Sequence, residues 1–471
     1  MTRLAVGIIG GGISGLACAY RLTELRETSK KDFSIVLLEA GGRVGGVIQT
    51  EEHDGFLLEK GPDAFISEKP WALDLAKRLQ IDADLIGTRK NHRKSSVLRK
   101  GRLVAVPEGF YLMAPTRLVP FLRSPLLSRR GKLRTLMEYF IPPSFSGEDE
   151  SLAHFVRRRF GSECLEEAAQ ALVAGIYTGD PETLGLLGTL PRFRDLEKKY
   201  GSVIRGLLKE GRQAQTASGA RYGLFVSFKK GMATLTDALE KKVSSFVRLN
   251  SPVRTVSFDE NEKLWHVTTK KGETLNFDAV CTSLPARDSR KLLAETMPVL
   301  AGQLSAVKTE SVATVHLAYR SEQFSRLPQG FGFVAPKKEK RAVLACTFVD
   351  QKFEGRCPEG MKLLRAFVGG AFGREFFNKE DKDLTEAVEK DLQAILGIQG
   401  KPVFSLIRRH PEAMVQYGVG HYDWLEKVRR TVQEFPGLFL TGASYAGVGI
   451  PDCVRDAESQ AENIFHHIIP A

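Results

Sequence analysis

Leu4-Ala5-Val6-Gly7-Ile8-Ile9-Gly10-Gly11-Gly12-Ile13-Ser14-Gly15 decides the fold. The apolar run Leu4 to Ile9 reads as a strand and the glycines as a tight turn, after which Leu16, Ala19, Tyr20 and Leu22 fall at helical spacing. Glycine at positions 10, 12 and 15 permits the turn, a close backbone approach to a pyrophosphate, and tight packing of helix on strand. The helix N-terminus offers free N–H groups to an anion. A second apolar run, Ile35 to Leu38, ends at Glu39, 24 residues beyond Gly15. A carboxylate there accepts a ribose 2′-OH and disfavours a 2′-phosphate. The glycine pattern alone is weak; between a strand and a helix, with an acid closing the next strand, it predicts dinucleotide binding rather than a purely structural turn.

Arg43, Val44, Gly45 and Gly46 follow as a second glycine turn, with a guanidinium placed for phosphate, and this addition points to FAD rather than NAD. Here the sequence resembles the two-dinucleotide-binding-domain flavoproteins, whose members include amine oxidases, phytoene desaturases and porphyrinogen oxidases. In that family Glu-x-x-x-Arg-x-Gly-Gly continues the fingerprint toward the flavin.

The 471 residues, 42% apolar with 44 Gly and 21 Pro, suffice for two or three globular domains. Six scattered cysteines form no C-x-x-C pair and read as reduced thiols of a cytoplasmic protein. His466 and His467 fall in a C-terminal helix and suggest no metal site. Only Arg3 precedes the first apolar run, and cleavage after it would destroy the nucleotide fold, so the run does not read as a signal peptide. No run of about twenty apolar residues occurs elsewhere, so bilayer contact can only be peripheral, on the inner face of the membrane.

Of the net charge of +12, one segment accounts for all: Thr88 to Met137 holds thirteen basic residues against Glu108. Apolar stretches interleave with these cations, among them Val104 to Pro107, Phe110 to Met113 and Leu118 to Leu122. Such a pattern can settle on an anionic membrane, each cation contributing about 1 kcal/mol near the surface. A helical domain with a basic solvated face fits equally well. Nucleic acid ranks last, because no recognition motif accompanies the charge, and none is expected as a partner.

Further along, Gly55 to Pro62 predicts a strand running into a turn, and a helix begins near Pro70, just after Lys69. Taken alone, Lys69 reads as a solvated loop lysine. Glu148 to Ser151 precede a helix that Gly161 can close, and a second helix, about 162 to 173, delivers Ala174 to Asp180 as a glycine-flanked turn. A strand at 225–229 leads into a helix carrying Leu235, Ala238, Leu239 and Val243, and short strands at 247–249, 253–258, 264–269 and 279–282 then read as the β-meander that continues a nucleotide-binding half. Residues 292–410 predict an antiparallel sheet backed by a helix over 383–396. The strand Leu438 to Thr441, a glycine-rich turn and a terminal helix repeat the opening device.

Within the superfamily, the sequence is most similar to the oxygen-dependent protoporphyrinogen and coproporphyrinogen oxidases. Gly55-Phe56 with Glu59-x-Gly61-Pro62, Gly175-Ile176-Tyr177-x-Gly179-Asp180, Gly330-Phe331-Gly332, and Thr441 to Ser444 with Gly447 to Cys453 carry the likeness. It implies an α/β two-dinucleotide-binding-domain flavoprotein. The expected parts are a Rossmann-like FAD domain (1–68, 222–290, 412–471), a mixed-sheet substrate domain (69–92, 291–411) and a helical, membrane-associating domain (93–221). Non-covalent FAD is expected against Gly10, Gly12, Ile13, Ser14, Gly15, Glu39, Arg43, Gly45, Gly46, Gly61, Pro62, Val253, Gly442, Ala443, Val448, Gly449 and Ile450. Lys69 matches a position where the family places a cation near a substrate propionate, which reverses its reading as a solvated lysine. Ile176, Phe331, Val334, Thr347 and Val368 match positions lining the macrocycle cavity. Ala174 falls where some members carry an Arg, so that propionate contact is absent.

The implied chemistry is oxidation of a porphyrinogen tetrapyrrole in three two-electron cycles, with O2 reduced to hydrogen peroxide and the product handed to a ferrochelatase. No acid–base pair or metal is called for, since positioning and a dry cavity are the protein's part. An amine oxidase or carotenoid desaturase would share Gly10 to Gly46 but not the Gly-Ile-Tyr-x-Gly-Asp segment. A non-catalytic escort protein of related fold is a further alternative, disfavoured by the intact turns at Arg43 to Gly46 and Gly442 to Asp452.

Overall fold

The structure, a computed structural model, describes residues 4–89, 94–144, 148–213, 225–325 and 327–470. Both chain ends build one parallel sheet. Its five strands run in the order Val247–Arg248, Ser34–Leu38, Ala5–Ile9, Ala279–Thr282, Leu438–Leu440. The opening helix, Ile13–Ser29, packs on this sheet beside the terminal helix, Ile450–Ile468. Leu16, Cys18, Leu22, Val454, Ala457, Ala461 and Ile464 fill the shared core. Gly15 makes the contact possible: a Cβ there would lie 1.9 Å from the Gly10 carbonyl oxygen.

The expected meander is smaller than its sequence suggests. Only Val253–Asp259, Leu264–Thr269 and Thr274–Phe277 form an antiparallel ribbon, whereas the strands at 247–248 and 279–282 are members of the parallel sheet. Sequence pattern cannot separate these, because short apolar strands look alike whether they pair locally or at a distance.

A seven-stranded mixed sheet forms the second layer, in the order Phe404–Gln416, Lys308–Arg320, Met361–Gly369, Ala345–Phe348, Gly332–Val334, Ser95–Arg99, Arg102–Ala105. The helix Asp381–Leu396 covers one face through Leu384, Val388 and Leu392. The division at residue 93 assigns Ser95–Ala105 to the helical unit, but these strands pair onto the sheet, with Val334 beside Val97. The strand Phe404–Gln416 likewise runs past the division at 411. The divisions at 92 and 221 adjoin stretches outside the described residues.

The helical unit is built on Leu152–Phe160, Gln170–Tyr177, Pro191–Tyr200 and Val203–Gln213. Ser151 caps the first of these by accepting the His154 N–H at 3.1 Å, and Gly161 closes it with φ 93°. Buried Arg159 pairs with buried Glu138, which also accepts from Ser202 and the N–H groups of Val203 and Ile204. Gly175, Ile176 and Tyr177 are helical rather than part of a turn; the chain turns at Thr178, whose φ is 53°.

Candidate active site

The opening strand, its turn and the opening helix form a cradle with a bare N-terminus. Gly12 is the N-cap and contributes no side-chain bond, so the first N–H groups of the helix point outward unpaired by the helix itself. A Cβ on Gly12 would meet nothing within 4 Å. Glu39 folds back to accept the Gly11 N–H at 2.7 Å and the Gly41 N–H at 2.7 Å, fixing its carboxylate at the mouth of the cradle. Ser251 N donates to the Glu39 carbonyl oxygen, which sets Val253 close by at the start of its strand.

Gly45 and Gly46 adopt φ of 97° and 57°, and the Gly45 N–H donates to the Gly11 carbonyl at 2.7 Å, so the two glycine turns interlock. The Arg43 guanidinium donates to the carbonyls of Val44 (2.8 Å), Ile48 (3.2 Å) and Gly46 (2.6 Å) and so staples its own turn. Free carbonyls in a tight glycine loop compete well for five fixed donors.

The far end of the chain closes the same cradle. A Cβ on Gly442 would lie 4.0 Å from Ser14 Oγ, and Gly442 N–H donates to Asp456 at 3.2 Å. Gly449 caps the terminal helix without a side-chain bond, so a second bare helix N-terminus, led by Ile450, enters the site. Ala443 accepts the Tyr417 hydroxyl through its carbonyl, and Val448 lies in the intervening turn. Cys453 is buried, its thiol pushed up to about 12 by burial.

Facing the cradle, strand parity sorts the mixed sheet into two sides. Leu364, Ala366 and Val368 pack with Leu384, Val388 and Leu392, as do Phe333, Cys346 and Phe348. Val368 therefore lies in the core behind the sheet, fully buried, and does not line the cavity expected of it. Register places Phe367 on the other face, across from Ala345 and Thr314, with Val334 across from Ala345. The next row holds Thr347, Arg365 and His316. Gly175 brings the helix Gln170–Tyr177, and with it half-buried Ile176, against Val334: a Cβ at 175 would lie 3.1 Å from Val334 Cγ1. Phe331 is buried beside this edge, its N–H donating to Lys94 and its carbonyl accepting from Phe348.

Comparison with known proteins bears on this arrangement. Residues 13–465 match the family of flavin containing amine oxidoreductases. The chain belongs to that family. A coproporphyrinogen III oxidase of Bacillus subtilis (strain 168) is 33% identical over 98% of this chain and 98% of its own. A coproporphyrinogen III oxidase of Staphylococcus aureus is 30% identical over 98% and 99%. Among solved structures, a protein of Exiguobacterium sp. 255-15 assigned as a protoporphyrinogen oxidase superposes with a TM-score of 0.86 at 31% identity, covering 98% of this chain and 99% of its own.

FAD is the cofactor of this flavoprotein, and the cradle fits it. The empty space over Gly12, the two uncapped helix N-termini and the Glu39 carboxylate supply room, N–H donors and a ribose acceptor in sequence. On the sheet face, Thr314 Oγ1 and Arg365 Nε are buried without a protein partner among the described residues.

Residues that the sequence did not single out join the flavoprotein's site. Arg365, 4% exposed, donates to the Gly61 carbonyl, next to Pro62, and faces Asp63 at 4.0 Å. Burial would raise the Asp63 carboxyl, but Lys352, at 2.7 Å, and Arg365 hold it below its ordinary range. Burial lowers His316 to about 3, with Arg365 adding to the effect, and leaves the imidazole neutral. The signal for Arg365 was a lone cation inside the apolar run Leu363 to Gly369. Lys69 emerges from the loop before the helix Trp71–Arg78 and donates to Asp452 Oδ2 at 2.6 Å.

A cavity of about 620 Å³ lies at the end of the same sheet, beside Ala335, Gly369 and Gln170. Its cations Lys338 and Arg341 are paired with Glu167 and Asp391, and its other charged lining residues are two acids, Glu166 and Glu375, and two lysines, Lys337 and Lys340, so it offers an anion no net charge.

Proposed function

We propose that this protein oxidises coproporphyrinogen III to coproporphyrin III in haem formation, with dioxygen as electron acceptor and hydrogen peroxide as by-product. Its full-length likeness to two coproporphyrinogen III oxidases carries the reading. A porphyrinogen has reactive methylene bridges beside pyrroles, and three dehydrogenations remove three hydrides from bridges and three protons, two of them from pyrrole N–H groups and one from the remaining bridge, so that four CH2 become CH and four N–H become two. Bound FAD supplies the two-electron chemistry.

The chain's own contribution is to bind, orient and exclude water. Gly10, Gly12, Ile13, Ser14, Gly15, Glu39, Gly45, Gly46 and the turn from Gly442 to Ile450 would hold the cofactor, with Gly61 and Pro62 at its flavin end. Val334, Thr347, Phe367 and Ile176 would flank the macrocycle. Neither sheet row carries a carboxylate, so these surfaces orient an apolar ring without competing for its proton. Lys69 would take a propionate, and the product would pass to an enzyme that inserts iron, a ferrochelatase.

We further propose that residues 118–140 rest on an anionic membrane. Leu118, Val119, Leu122, Leu133, Met137, Tyr139 and Phe140 are all exposed there, the last at 80%, beside exposed Arg123, Arg129 and Arg130. No helix among the described residues is long and apolar enough to cross a membrane.

Purified protein assayed in air for porphyrin fluorescence, with autoxidation subtracted, tests the reading. Faster oxidation of coproporphyrinogen III than of protoporphyrinogen IX supports it; preference for protoporphyrinogen reassigns the substrate; bound flavin with neither activity removes the function.

A further inference from the structure

We infer that Asp452 is a positioning residue that holds the Lys69 ammonium where a substrate carboxylate meets it. The inference rests on the porphyrinogen reading above and assigns a role to a residue of the terminal helix.

Asp452 stands in the first turn of the helix Ile450–Ile468, where a carboxylate is favoured by the helix N-terminus. It is 6% exposed, and both its oxygens are engaged: Oδ2 accepts from Lys69 at 2.6 Å and Oδ1 faces Arg455 at 3.7 Å. Arg455 is itself fixed, its guanidinium 4.6 Å from the Trp71 ring centre and donating to the Ala446 carbonyl at 3.2 Å. Gly447 leaves the room this needs, since a Cβ there would lie 2.6 Å from Asp452 Cβ. The carboxylate is thus held rigidly between the turn at 442–449 and the loop carrying Lys69.

Lys69 is in a different state. Its side chain remains 45% exposed, and one hydrogen bond leaves two of its three N–H donors for another oxygen. A flexible four-carbon stem without this anchor would lose rotamer freedom on each binding event. Asp452 removes that loss in advance. The same contact also clips the loop before the helix Trp71–Arg78 to the terminal helix, but Arg78 already joins these two helices farther along through Glu458. A mere clip therefore predicts lost stability with unchanged substrate affinity.

A double-mutant cycle separates the two. With the holoenzyme, Asp452→Asn, Lys69→Gln and the double variant are compared for KM and kcat on coproporphyrinogen III. Binding of coproporphyrin III is followed in parallel by fluorescence, and flavin content by absorbance. Asp452→Asn is expected to raise KM about tenfold with kcat within about twofold, to weaken porphyrin binding alike, and to add nothing in the Lys69→Gln background. An unchanged KM, effects that multiply in the double variant, or loss of flavin from Asp452→Asn each overturn the assignment. If wild type binds coproporphyrin but oxidises neither porphyrinogen, the functional reading alone fails, and the binding cycle still decides the role of Asp452.

Discussion

The guanidinium of Arg365 donates to the carbonyl oxygen of Gly61 and so ties the mixed sheet to the turn that follows the strand Phe56–Glu59. The two residues lie 304 positions apart in sequence. Through Asp63 and Lys352 the same guanidinium belongs to a buried charge cluster, and removing one member of such a cluster strands the others.

Arg365→Met is therefore expected to cost about 3–5 kcal/mol of stability, because Asp63 loses one of the cations that compensate it, Lys352 and Arg356 remaining, and the Gly61 carbonyl loses a donor. Chemical denaturation of the apoprotein measures this. A loss under about 1 kcal/mol would mean that water replaces the guanidinium and that the tie is not structural.

Strand parity gives a second contrast. Phe367→Ala should raise KM for the porphyrinogen several-fold while sparing stability, and Val368→Ala should do the reverse, costing about 1–3 kcal/mol by leaving a void behind the sheet. Steady-state kinetics and thermal melts on the two neighbours, run side by side, check the assignment; equal kinetic effects would refute it.

That contrast also marks how far the sequence could be read. The glycine turn at 10–15, the acid at 39 and the C-terminal turn were legible, because each rests on local backbone requirements that leave a fixed spacing. Phe367 was not, since a strand flips its side chains every residue and an apolar run on a sheet buried on both faces carries no alternation to show which flank faces the cavity. The turn contacts of Arg43 were not legible for a different reason: a guanidinium beside a glycine turn suits phosphate and carbonyl oxygens alike, and only the folded loop shows four carbonyl and amide oxygens within its reach. The partner of Lys69 lies 383 residues away, beyond any local pattern.

Two glycines of the opening turn should behave oppositely. Gly15→Ala forces a Cβ onto the Gly10 carbonyl and should destabilise even the apoprotein, by about 1–3 kcal/mol. Gly12→Ala meets no protein atom and should leave the apoprotein's melting unchanged while lowering flavin occupancy. Apoprotein melts and flavin absorbance per chain distinguish them; normal flavin affinity in Gly12→Ala would show that the space over Gly12 does not hold the cofactor.

Glu59 supplies a pH dependence whose sign is fixed by its surroundings. Burial raises its carboxyl from 4.5 to about 7, against the N–H of Met232 and the hydroxyl of Thr50, which favour the ionised form. In the unfolded chain the proton leaves near pH 4.5, so between that value and about 7 the folded state holds more protons and stability falls as pH rises. The full effect is on the order of 3 kcal/mol and levels off above pH 7. Glu59→Gln cannot ionise and keeps an oxygen to accept from Met232. Its stability relative to wild type should therefore improve between pH 5 and pH 8, read as the difference in urea midpoints at the two values. An identical difference at both would mean that Glu59 titrates normally and that the hydrogen bonds from Met232 and Thr50 outweigh its burial.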